Sequence, residues 1–238
     1  IAGPNTTLNA IVAEAFCEAA DRLEKAEDFE TAVHDLIKEY MTEHQRIIFN
    51  GNGYSDEWVV EAEKRGLPNI KSMIEAASTL TSEKAVALFE KFGIYTKAEL
   101  ESREEIIYET YAKTINIEAL TMIDMAGKQI IPAVVKYTKT LADTANAIKA
   151  AGGDASVQTE LLADVSTKLA AMQKELNKLV ADEKEASAME DVKAQAFFYK
   201  DTIKATMDEL RKPADELEMI VDKDVWPIPT YGELMFEV

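Results

Sequence analysis

The residues with the clearest capacity for chemistry lie at Gly51-Asn52-Gly53, which follow the apolar run Ile47-Ile48-Phe49 and precede a capped helix. Such a turn can present backbone N–H groups to a phosphate. The spacing argues against that use. Asp56 stands where G-x-G-x-x-G needs its third glycine, no Walker lysine follows, and Asp56 with Glu57 would repel an anion. A structural turn is the favoured reading. His34 and His44 are the only histidines; about two and three-quarter turns apart on one predicted helix, they do not share a face, and no cysteine pair exists to complete a zinc site. Both are expected at the surface. No Gly-x-Ser-x-Gly elbow supports Ser-His-Asp catalysis. The 44 Asp and Glu residues mostly alternate with Lys on predicted outer faces, and no EF-hand loop pattern occurs among them. Met122, Met125, Met172, Met207 and Met219 fall at or beside core positions, which favours gap-filling over a flexible binding groove. The residues nominate no catalytic side chain, no cofactor-binding side chain and no metal ligand.

The elements that would hold such residues are helices. Nine Gly and six Pro in 238 residues, against abundant Ala, Glu, Lys and Leu, argue for an all-α chain, and 47% hydrophobic residues suffice for a core. A formal net charge of -18 opposes binding to nucleic acid or to anionic lipid, since both need a cationic surface. Apolar runs fall short of the roughly 20 residues needed to span a bilayer, and no basic, then apolar leader opens the chain. Cys17 is the only cysteine, which excludes an intrachain disulfide and suits a reducing cytoplasm. Ile1 is not an initiator methionine, and the opening reads as the interior of a longer chain.

Asn5 or Thr6 is expected to cap a first helix whose apolar residues Leu8, Ile11, Val12, Ala15, Phe16, Ala19 and Leu23 cover a face wide enough for burial on more than one side. A second helix from Phe29 to about Arg46 would turn Val33, Leu36, Ile37, Tyr40 and Met41 inward. Ser55 and Ser82 open further helices that Gly66 and Gly93 end, with a short helical piece around Ile70 to Ala77. Thr96 and Glu99 form a capping box that opens a strut reaching Ala151, roughly 80 Å at about 1.5 Å per residue. Pro132 should kink or re-register it near Gln129 to Ile131. Its first half would pack Ile106, Ile107, Tyr111 and Ile115 on the short helices before it. From Leu120 a heptad seam places Leu120, Gly127, Val134, Leu141 and Ile148 at one position and Ile123, Ile130, Tyr137 and Thr144 at the other.

After the stop at Gly152-Gly153-Asp154, Leu162, Val165, Leu169, Met172, Leu176 and Leu179 repeat the three-and-four spacing, and a third helix carries Tyr199, Ile203, Leu210, Leu217 and Ile220, with a kink at Pro213. The short loops predict three antiparallel helices. The apolar tail from Val225 to Phe236 should dock as an irregular segment ending in a short turn or helix.

Four stretches resemble the type III glutamine synthetases: Ala2 to Glu14 (AGPNTTLNAIVAE), Phe49 to Ser55 (FNGNGYS), Lys113 to Thr121 (KTINIEALT) and Trp226 to Tyr231 (WPIPTY). The first is similar to the helix that follows the last active-site strand of that family's catalytic domain. The resemblance implies a parent enzyme that condenses glutamate with ammonia through γ-glutamyl phosphate, using ATP and Mg or Mn. It places the metal carboxylates, the ATP site and the substrate-holding arginines before Ile1, so no site residue is carried onto this chain. The resulting expectation is an all-α piece: residues 1–30 as the C-terminal edge of the catalytic domain, 31–119 as a helical connecting region, 120–224 as an elongated antiparallel three-helix bundle and 225–238 as a docked tail. Its partners would be the upstream catalytic domain and other copies in stacked hexameric rings. The alternative is a free-standing acidic helical interaction or scaffold module, whose partner reads the acidic surface.

Overall fold

The computed structural model describes residues 2–229 and 231–236; Ile1, Thr230, Glu237 and Val238 lie outside the described residues, including their share of the expected tail. Among the described residues the chain is helical without a strand, so it is all-α. It divides into two compact units, Ile1–Glu104 and Glu105–Val238.

In the first unit, α1 spans Ala2–Leu23, α2 Phe29–Glu43, α3 Asp56–Lys64, α4 Met73–Ala77 and α5 Glu83–Lys91. Local chemistry sets most of these ends. Asp28, Ser55, Ser72 and Ser82 each accept a backbone N–H of the first turn they cap, and Gly66 and Gly93 end helices at φ of 71° and 61°, a region costly for residues with a Cβ. The expected cap of α1 by Asn5 or Thr6 is corrected. The helix already includes Pro4, whose missing N–H costs nothing in a first turn, and the Thr6 and Thr7 hydroxyls donate back to the Ala2 and Gly3 carbonyls. A second correction concerns α2, which stops at Glu43 before a 3₁₀ turn at Gln45–Ile47 and leaves Ile37 and Met41 exposed instead of inward. Only Leu36 of α2 is buried. One core cluster of this unit gathers Ala10, Phe89 and Leu100, flanked by Val86, Leu88, Ile94 and Tyr95, and Leu36, Ile74 and Ala77 are buried as well.

Helix α6, Lys97–Met125, opens with the predicted capping box, the Thr96 N–H donating to Glu99 at 2.8 Å and the Glu99 N–H to Thr96 at 3.3 Å. Up to Glu104 it belongs to the first unit and from Glu105 to the second. A π-helical turn, Ala126–Ile130, joins it to α7, Ile131–Ala150, so the irregularity expected near Pro132 is a re-registration just before it. Pro132 then sits in the first turn of α7, where it is tolerated. Gly152 ends α7 at φ 78°. Helix α8, Ser156–Ser187, follows; then α9, Val192–Phe198, a second π-turn at Tyr199–Ile203, and α10, Lys204–Glu218, which continues through a buried Pro213. The last element, α11, is Tyr231–Phe236.

Helix α8 packs against both α7 and α10. One core joins Val165, Met172, Leu176 and Leu179 of α8 to Val134 and Leu141 of α7 and to Tyr199, Ile203, Leu210 and Leu217 on the α10 side. The seam differs from the heptad count in one respect. Counting back by sevens from Val134 gives Gly127 and Leu120, but the buried residues are Ala126 and Ala119, one place earlier, and Leu120 is 47% exposed. The π-turn inserts the extra residue. Tyr111 and Ile115 also join this core, not the short helices to which periodicity had assigned them. The tail docks only in part. Trp226 is buried and Val225 and Ile228 pack on the core, whereas Leu234, Met235 and Phe236 are exposed.

Candidate functional site

The Asn-Gly loop is built around an aromatic stack. Phe49 and Trp58 lie with ring centroids 4.1 Å apart, and the Arg65 guanidinium sits 5.6 Å from the Trp58 ring while donating to the Ile48 carbonyl at 2.9 Å and to Glu61 at 2.7 Å. Hydrogen bonding to Arg65 holds the Glu61 carboxyl below its ordinary range. Gly51 passes so close to the Phe49 ring that a Cβ there would lie 2.5 Å from Phe49 Cζ. The glycine thus serves ring packing, and Ser55 caps α3 by accepting from the Trp58 N–H. Asn52 accepts the Tyr54 N–H.

His34 and His44 are both exposed, and Cys17 is a half-buried free thiol. Among the described residues no group of three His, Cys, Asp or Glu side chains is placed to hold a metal ion. No helix among them is long and apolar enough to cross a membrane. Carboxylates instead engage lysine and arginine: Asp164 with Lys168 and Asp124 with Lys128 along one helix, and Arg22 with Glu39 at 2.6 Å between α1 and α2. The Arg22 hydrogen bond holds Glu39 below the usual carboxylate range.

Two features escaped periodicity. The first is the outer side of α1. Ala10 is buried and Glu14 pairs with Lys91 at 2.5 Å, while roughly opposite them on the helical wheel Leu8, Val12 and Phe16 form an apolar stripe with 61%, 51% and 71% of their surfaces open, flanked by Ile11 at 51%. The breadth of the apolar face was legible in the spacing; which part of it stays open was not. The second is a cavity of about 540 Å³ in the second unit, walled by Met122, Met125, Met172, Trp226 and Ile228. Three of the methionines assigned to gap-filling therefore also line a space. Glu118, Arg211, Asp215 and Glu218 stand around it.

A family model described as the glutamine synthetase C-terminal domain matches residues 32–149. A glutamine synthetase of Butyrivibrio fibrisolvens is 39% identical over 214 residues, 89% of this chain and 31% of that protein. The type-3 glutamine synthetase of Dictyostelium discoideum is 34% identical over 242 residues, covering 98% of the chain and 33% of the relative, and a Bacteroides fragilis (strain YCH46) glutamine synthetase is 30% identical over 211 residues, 86% and 29%. The chain thus spans about a third of the length of these curated relatives. A free-standing scaffold module is not favoured by these matches. The chain belongs to the glutamine synthetase family, as the C-terminal region of its type III branch.

Proposed function

We propose that this chain is the C-terminal helical portion of a cytoplasmic enzyme that ligates ammonia to glutamate through γ-glutamyl phosphate, with ATP and magnesium or manganese held by segments upstream of Ile1. Its own contribution is mechanical. Residues 1–30 form the edge of the catalytic body, 31–119 connect, 120–224 make an elongated antiparallel three-helix bundle, and 225–238 are its tail. The assembled protein stacks as hexameric rings.

The observation that carries this reading is the open stripe of α1. A helix that uses Ala10 and Glu14 on one side leaves Leu8, Val12 and Phe16 on the other, with Ile11 beside them, open within the unit. At about 25 cal/mol per Å² of apolar surface, covering such side chains stabilises by about 1 kcal/mol or more apiece. The relatives' remaining two thirds supply the covering body. The test has two arms. The isolated chain, assayed for γ-glutamyl transfer with ATP and manganese, should show no turnover; robust turnover would sink the assignment of the chemistry to upstream segments. In the full-length enzyme, Leu8→Glu with Phe16→Glu should abolish assembly and activity together, while the same pair leaves the isolated chain as stable as before.

A further inference from the structure

In a chain of net charge -18, three cationic side chains border one hollow of the first unit. Lys38 of α2, Arg46 of the 3₁₀ turn after it and Arg65 at the end of α3 line a space of about 810 Å³, and no carboxylate among the described residues lines it with them. That volume falls inside the roughly 300–1,000 Å³ range of ligand pockets. The side chains of Lys38 and Arg46 make no ion pair and no hydrogen bond among the described residues. Like charges gathered in this way repel one another, and acids abundant elsewhere on the surface do not relieve them here. A bound anion would.

Arg65 differs from the other two in being fixed. Its guanidinium is held by Glu61 at 2.7 Å and by the Ile48 carbonyl at 2.9 Å, and it lies 5.6 Å from the Trp58 ring and 6.0 Å from the Phe49 ring. The ring stack that Gly51 permits therefore sets one guanidinium in place before anything binds, which lowers the ordering cost of binding. The loop supports Arg65 and is not itself the anion cradle. Glu61 offsets one of the three positive charges, so two remain uncompensated. Met41 and Ile48 give the same hollow an apolar wall.

We propose that this hollow binds a small phosphate monoester, its dianionic head among Lys38, Arg46 and Arg65 and its organic body against Met41 and Ile48. A phosphoryl group concentrates its charge on three strong acceptor oxygens, which suits cations gathered at one place better than the two separated carboxylates of a diacid. Arginine contributes planar forks for those oxygens and lysine a mobile point charge.

Calorimetric titration at low ionic strength tests it on the 238-residue chain and on the full-length protein, with phenyl phosphate, inorganic phosphate, phenylsuccinate and benzyl alcohol as probes. Phenyl phosphate should bind one to one, more tightly than inorganic phosphate, which lacks the organic body, and than phenylsuccinate, which divides its charge. Its affinity should fall as salt is added. Lys38→Gln with Arg46→Gln should weaken phenyl phosphate by about tenfold or more, the loss expected of charge-assisted hydrogen bonds. Lys113→Gln with Lys139→Gln, which removes the same charge from the second unit, should change it by less than about twofold. All four side chains are exposed, so circular-dichroism melting should find both variants folded. No saturable binding of phenyl phosphate overturns the proposal, and so do equal losses in the two variants, which would mean diffuse attraction only. Benzyl alcohol or phenylsuccinate binding as tightly as phenyl phosphate overturns it too. Binding by the 238-residue chain that vanishes in the full-length protein would mean that another segment fills the hollow, and overturns it as well.

Discussion

Replacing Thr206 with valine removes a single hydroxyl while keeping the volume, the β-branching and nearly the same helix propensity. Thr206 on α10 is 1% exposed, and its Oγ1 donates to Asp182 Oδ2 of α8 at 2.7 Å, so this one bond ties two packed helices through an otherwise apolar core. A hydrogen bond to a charged acceptor contributes about 1.5–3 kcal/mol. Asp182 is only half-buried and can turn its freed oxygen toward water, which lowers the expected loss to about 1–2 kcal/mol. For a chain of this size each kcal/mol corresponds to about 2–4 °C in Tm, so Thr206→Val should melt roughly 2–8 °C lower. Urea denaturation should show a lower midpoint with an unchanged slope. A double-mutant cycle with Asp182→Ala isolates the pair, and a coupling of about 1 kcal/mol is expected. If Thr206→Val unfolds with the wild type and the coupling is zero, the bond is not a strut between α8 and α10, and the packing of Leu179 and Leu210 alone sets their register.

Other expectations follow from single contacts. Leu179→Ala, at a fully buried position of α8, should cost about 2–5 kcal/mol in denaturant unfolding. Gly93→Ala should destabilise by about 1 kcal/mol although nothing crowds its Cβ, because φ is 61°; Gly93→Asn should recover part of that loss. Gly51→Ala should disturb the Phe49–Trp58 stack, read as a changed tryptophan emission, since its Cβ would meet the Phe49 ring at 2.5 Å. The Arg22–Glu39 bond gives a pH dependence of definite sign. Glu39 is held below its unfolded pKa, so its contribution is present above the usual glutamate range and is lost as pH falls through the lowered value. Glu39→Gln should therefore flatten the acid side of the stability profile and leave the neutral side sloping as before.

How much of this was legible from residues alone depended on the range of the interaction. Helix ends set by neighbours a turn away were readable: Ser55, Ser82, the Thr96–Glu99 box, and the glycines at 66, 93 and 152 stand where the structure has caps and stops. The core spacing of α8 and α10 was readable for the same reason, as one face repeats along one regular helix. The first π-turn was legible as a re-registration before Pro132, though not the face it would shift, and the second, Tyr199–Ile203, was not legible at all. The first displacement left Leu120 outward and Ala119 inward. Ile37 and Met41 were misplaced because apolar spacing reports a side chain's preference for cover, not which body provides it. The loop glycine at 51 was readable as a turn residue, while its service to Phe49 required the ring's position. The unpaired indole of Trp226 left no mark in the sequence beyond an aromatic just ahead of Pro227 and Pro229.

The two π-turns, Ala126–Ile130 and Tyr199–Ile203, also make the second unit's helices into counted objects. Each stores one surplus residue, and losing it would leave a regular α-helix that is locally sounder than the original. Losing one residue in the first turn would put Val134 seven places after Ala126, the interval that already links Ala119 to Ala126 and Val134 to Leu141, so the buried face would run on through a regular helix. A deletion elsewhere along these helices has no surplus to draw on and would rotate everything beyond it by about 100°. Chain length is thus elastic by one residue at these two points and tightly fixed between them.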